Sequence, residues 1–130
     1  MNLLTNRFFS LIPVPPPFKP RSLVYDLKSR LDWGEPALTI VDVRERTEFN
    51  HRHIQGAISM PLPELVDRAL TSLPLARDLY IHGNTDEESA EAAALLRSVG
   101  YQKVSELRGG VAAWKAVGFP VESAIAPVLS

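Results

Sequence analysis

Three short stretches of this chain carry residues whose types and spacing could do chemistry. The densest is Leu79-Tyr80-Ile81-His82-Gly83-Asn84-Thr85-Asp86-Glu87-Glu88-Ser89, with an imidazole, three consecutive carboxylates and a hydroxyl. His82, Asp86 and Ser89 are its candidate nucleophiles or bases. Ser89 has no visible base partner, because His82 lies seven residues earlier on a predicted strand. Asp86 has no lysine beside it and no acid cluster before it to hold a metal for phosphoryl chemistry. Asp86, Glu87 and Glu88 together could hold a divalent ion, but consecutive side chains at a helix start point in different directions. The second stretch, His51-Arg52-His53, offers two imidazoles without a third ligand nearby, a thin case for a metal. The third is Asp42-Val43-Arg44, at the end of an apolar run. Asp42 and Arg44 either serve a site at the sheet's carboxyl edge or hold loops together, with Arg44 and Glu48 pairing at i,i+4 for about 0.3–0.5 kcal/mol. We favour the structural role.

Composition excludes other chemistry. The 130 residues include no cysteine, so disulfides, thiolate metal sites, persulfides and cysteine nucleophiles are all out of reach. The net charge of -1 gives no positive field for DNA or RNA. Neither common glycine-rich phosphate-binding signature occurs, and no cofactor or metal is expected.

The elements that must position these groups follow from periodicity and punctuation. Ser22 is expected to cap a helix carrying Leu23, Leu27 and Leu31, ended by Gly34 and Pro36. A strand buried on both faces is expected over Ala37 to Val43, a helical turn over Arg46 to Asn50 and a brief strand over Ala57 to Ser59. Helix over Pro63 to Leu73, strand over Asp78 to His82, helix over Ser89 to Val99, strand over Lys103 to Leu107 and helix over Gly110 to Val117 complete the pattern. Strands alternating with helices predict a mainly parallel sheet covered on both sides. Residues 1–20 are expected to form a separate proline-rich, flexible tail, 21–122 one domain, and 123–130 a C-terminal tail. Met1 to Ile12 is too short to span a membrane and lacks a secretory cleavage site. Leu4, Phe8, Leu11 and Ile12 could lie on a membrane or a partner, although one cation, Arg7, gives such a face little polar support. The cytoplasm is the expected compartment.

Four motifs in order give the domain a resemblance. Asp42-Val43-Arg44, then Glu48-Phe49, then His53-Ile54-Gln55-Gly56-Ala57-Ile58 with Pro61, then Gly109-Gly110-Val111-Ala112-Ala113-Trp114 with Gly118-Phe119-Pro120-Val121 resemble the ordered signatures of the rhodanese-like domain family. The resemblance implies a three-layer α/β/α fold around a central, mainly parallel sheet of four to five strands. It also assigns His53 to a structural turn, Gly109 and Gly110 to a tight strand-to-helix turn, and Trp114 to the packing of that last helix.

Active members of that family place a cysteine at the end of the strand before the loop, and loop amides bind thiosulfate or a persulfide, commonly with an arginine at the far end. Aligned without a gap, this chain has Gly83 at the cysteine position and Glu88 at the arginine position. The degenerate loop is His82, Gly83, Asn84, Thr85, Asp86, Glu87 and Glu88. One carboxylate about 4 Å from a bound anion costs roughly 4 kcal/mol at an effective dielectric of 20, near a thousandfold in affinity. Thr85 to Glu88 also matches a capping box, in which Thr85 accepts the Glu88 amide and the Glu88 carboxylate returns to the Thr85 amide. On this reading the anion loop has become a self-capped helix start. The expectation is a non-catalytic protein-binding or regulatory module. Its working rim would be His82 to Glu88 with the loops after Val43 and Leu107, including Asp42, Arg44, Asp86, Glu87 and Glu88, for a protein partner with a basic surface. A residual sulfurtransferase or phosphatase using a non-cysteine residue is the alternative.

Overall fold

The computed structural model describes residues 17–34 and 37–124; Met1 to Ile12, and with it the expected membrane or partner face, lies outside them. The described elements are β1 (Arg21–Ser22), α1 (Val24–Trp33), β2 (Leu38–Asp42), α2 (Arg46–His51), β3 (His53–Ile54), β4 (Ile58–Ser59), a 3-10 turn (Leu62–Glu64), α3 (Leu65–Ser72), β5 (Asp78–His82), α4 (Asp86–Ser98), β6 (Val104–Leu107), α5 (Gly110–Ala116) and β7 (Val121–Glu122).

Five strands form one sheet in the order β1-β6-β5-β2-β4, every neighbouring pair parallel. Side-chain alternation along β2 and β5 divides the core. Val41, Leu79 and Ile81 face α3 and α4, packing with Leu65, Ala69, Ala92, Ala93 and Leu96. Ile40 and Tyr80 face the other way and pack with Leu27, Ile54, Leu107 and Trp114. Both faces of the strands are therefore buried, which is why they read as unbroken apolar runs. The result is the expected three-layer α/β/α arrangement.

Parity along the strands also fixes the polar residues. Asp42 and His82 follow Ile40 and Tyr80 by two positions, so both side chains fall on the α1/α5 face, and they are direct partners in the β2–β5 register. Burying two ionisable groups together at the carboxyl edge is the structural fact that most shapes the site.

Two expectations are corrected. Ser22 does not cap the first helix: it belongs to β1, is buried, and its hydroxyl bonds that of Ser105 on the neighbouring β6 strand. The helix instead begins after Leu23, whose amide donates to the Asp26 carboxylate at 2.8 Å. The second sheet, β3 paired antiparallel with β7, was not foreseen, because two-residue strands carry too little alternation to be read.

Candidate functional site

The β5–α4 loop is built on hydrogen bonds that reuse its own polar residues. Ser89 is buried; its hydroxyl accepts from the Gly83 amide at 2.9 Å and donates to the Thr85 carbonyl at 3.1 Å. Thr85 caps α4 by accepting the Glu88 amide at 3.1 Å, so half of the expected capping box is present. The other half is not, because the Glu88 carboxylate lies elsewhere. A Cβ placed on Gly83 would stand 2.7 Å from Glu88 Oε1, 2.8 Å from its Cγ and 2.9 Å from its Cδ. Glu88 thus fills the space that a side chain on Gly83 would enter.

The three acids do not form one acidic patch. Asp86 accepts from the Gly109 amide at 2.9 Å and lies 3.4 Å from the Arg108 guanidinium, tying the start of α4 to the β6–α5 turn. Glu88 faces Gly83, and Glu87 alone of the three is exposed. Helix geometry gives the reason: at about 100° per residue, consecutive side chains leave the first turn in different directions.

Beneath the loop lies a buried ion pair. Arg44 Nε is 3.0 Å and 3.1 Å from the two Asp42 carboxylate oxygens and Arg44 Nη2 is 2.7 Å from Oδ2, while the Arg44 amide donates to Oδ1 at 3.0 Å. Nη2 also donates to the Arg52 carbonyl at 2.6 Å, clamping the end of α2 to the sheet. The expected Arg44–Glu48 pair does not form: Arg44 precedes the helix and turns inward, and Glu48 accepts from Asn84 Nδ2 at 3.1 Å. His82 is fully buried beside the pair, its Nε2 3.5 Å from Asp42 Oδ2, and neither ring nitrogen completes a hydrogen bond. Burial pushes its pKa down to about 4, against the opposing pull of the Asp42 charge. A neutral, enclosed imidazole is poorly placed to activate that hydroxyl, which is already engaged with Gly83 and Thr85.

His53 is held structurally, as its turn implies. Its Nδ1 is 2.7 Å from the Phe49 carbonyl, its Nε2 is 3.1 Å from a Glu122 carboxylate oxygen, and its ring stacks on Phe49 at 3.8 Å. Both nitrogens are used, while His51 lies apart, facing a cleft.

That cleft, of about 880 Å³, opens between α2 and α5. Arg44 and Glu48 line the side nearer the loop, Val111, Ala112 and Ala116 give it apolar surface, and Arg52 and Lys115 add cations. Sequence reasoning missed it. The signal was there in Thr47, Glu48 and His51 and in Val111, Ala112, Lys115 and Ala116, which recur at the three- and four-residue spacing of one helix face.

Sheet, crossover helices and a strand-to-helix loop at the carboxyl edge define a three-layer α/β/α domain whose candidate site is the β5–α4 loop. The rhodanese-like domain family matches residues 23–117, and the chain belongs to that family. It is 34% identical to a sulfurtransferase of Allochromatium vinosum over 73% of this chain and 87% of that protein. It is also 37% identical to the HTH-type transcriptional regulator Rv0324 of Mycobacterium tuberculosis over 79% of this chain, and it spans only 44% of that regulator's length. Among solved structures, the Alr3790 protein of Anabaena sp. is 56% identical and superposes with a TM-score of 0.78, covering 80% of this chain and 81% of that one.

Proposed function

We propose that this chain is a rhodanese-like domain that works without sulfur transfer, as a protein-binding or regulatory module. One observation carries this reading: the Glu88 carboxylate occupies the space beside Gly83, the residue that the family resemblance, aligned without a gap, puts at the cysteine position. A carboxylate held there opposes a sulfur anion by charge as well as by volume. The neighbouring hydroxyl and imidazole offer no substitute, since Ser89 is engaged with Gly83 and Thr85 and His82 is sealed beneath the loop.

Support for a regulatory role comes from the relative named as an HTH-type transcriptional regulator, of which the matched region is under half. The expected basic partner rested on Asp86, Glu87 and Glu88 acting as one surface. Asp86 is instead tied to Gly109 and Arg108 and Glu88 is half-buried against Gly83, so of the three only Glu87 is fully exposed on that rim.

The test is a thiosulfate:cyanide assay, with an aryl phosphate assay beside it, on the purified full chain. The expected result is no turnover above a heat-denatured control. Turnover that disappears in His82→Ala or Ser89→Ala would overturn the reading and establish a non-cysteine enzyme.

A further inference from the structure

The α2–α5 cleft joins an apolar surface to cations that the fold leaves unused. Val111, Ala112 and Ala116 present methyl groups from α5. Arg52, at the end of α2, and Lys115, exposed on α5, have no ion-pair or hydrogen-bond partner for their side chains among the described residues. Of the charges nearest the loop, Arg44 is neutralised by Asp42, while Glu48 keeps its charge and accepts from the neutral Asn84 amide. Arg52 and Lys115 outnumber that one carboxylate, so the lining is net positive although the chain as a whole carries -1.

The volume of about 880 Å³ lies near the top of the range of roughly 300–1,000 Å³ typical of ligand pockets. Its two cations stand on different elements, Arg52 at the end of α2 and Lys115 on α5, and share the lining with apolar side chains. That mixture suits a chain that alternates carboxylates with apolar groups. Building on the protein-binding reading above, we infer that the α2–α5 cleft docks an extended or helical peptide segment of a partner protein, carrying acidic and apolar side chains, with Arg52 and Lys115 pairing its carboxylates. The partner selected by this surface is acidic, opposite in charge to the one suggested by the acids of the β5–α4 loop.

The probe is a short capped peptide of alternating Leu and Glu, titrated into the isotope-labelled full chain while amide shifts are followed by NMR. Peptides with Lys replacing Glu and with Ser replacing Leu are the comparisons. The expected result is saturable shifts confined to Thr47, His51, Arg52, Val111, Ala112 and Lys115, and affinity at least about tenfold above that of the Lys peptide, a difference of about 1.4 kcal/mol. Arg52→Gln with Lys115→Gln should lose about the same factor, and Ala112→Trp, on an exposed helix position, should abolish the shifts by filling the cleft. Equal binding of the Lys peptide, shifts centred on residues 83–88, or no saturable binding at millimolar peptide overturns the inference. So does concentration-dependent dimerisation that Ala112→Trp removes, since it would assign the face to a second copy of the chain. The turnover assay separates the two levels: turnover defeats the non-catalytic reading, whereas a negative titration without turnover defeats only the acidic-peptide cleft.

Discussion

Replacing Gly83 by cysteine isolates what Glu88 does. Gly83 does not adopt the left-handed backbone conformation, so its backbone accepts a side chain without φ strain. The contacts of 2.7–2.9 Å to the new Cβ all involve the Glu88 side chain, which can swing aside. The thiol then sits beside a carboxylate. Two like charges about 4 Å apart repel by roughly 1 kcal/mol in water and roughly 4 kcal/mol at an effective dielectric of 20. At about 1.4 kcal/mol per pKa unit, the thiol of Gly83→Cys should titrate about one to three units higher than that of Gly83→Cys with Glu88→Gln. The chain has no native cysteine, so alkylation by iodoacetamide, followed against pH by intact mass, reports this one sulfur alone. Because the thiolate is the reactive form, alkylation near neutral pH should be about tenfold or more faster in the double variant. Coincident alkylation profiles would refute the reasoning and mean that Glu88 exerts no field on the loop.

Two further outcomes follow from the buried polar pair. His82 has a folded pKa of about 4 against about 6.5 unfolded, so the unfolded chain binds the extra proton; stability is complete above about pH 6.5 and falls by up to roughly 3 kcal/mol as the pH drops toward 4. Urea unfolding across that window should show the loss, and His82→Gln should flatten it; a slope unchanged in the variant would contradict this assignment. Asp42→Asn leaves the Arg44 guanidinium buried against a neutral amide, and breaking a buried pair in this way costs about 3–5 kcal/mol. A urea midpoint within error of the parent would show that the pair does not hold the loops.

The fold was legible where burial imposes a pattern. β2 and β5 read as apolar runs because both faces are covered, and α4 was marked by its Thr85 cap and its alanines. Ser22 misled because a serine that ends a short strand and one that caps a helix look alike in sequence; only the Ser105 hydroxyl across β6 decides between them. The loop was legible by position and illegible in detail. The gap-free reading singled out Gly83 and Glu88, which the structure brings side by side, but consecutive acids gave no indication that Asp86 would turn to Gly109 while Glu88 turned to Gly83. Side-chain direction within a helical turn is set by packing partners far along the chain, here in the β6–α5 turn, 23 residues away.

Gly83 and Glu88 are better understood as one substitution than as two. The Glu88 side chain fills the volume beside Gly83 and brings negative charge to the positive end of the helix, an arrangement that stabilises a terminus by about 0.3–1 kcal/mol. On the proposed reading, the same carboxylate opposes an external anion in the loop by charge and by volume. Next to the loop lies the cleft, where Arg52 and Lys115 share the lining with the methyl groups of α5. On the proposed reading, the loss of the nucleophile and the use of a neighbouring surface are linked through one carboxylate: with Glu88 set against Gly83, the α2–α5 cleft is the surface at this edge of the sheet proposed to meet a partner.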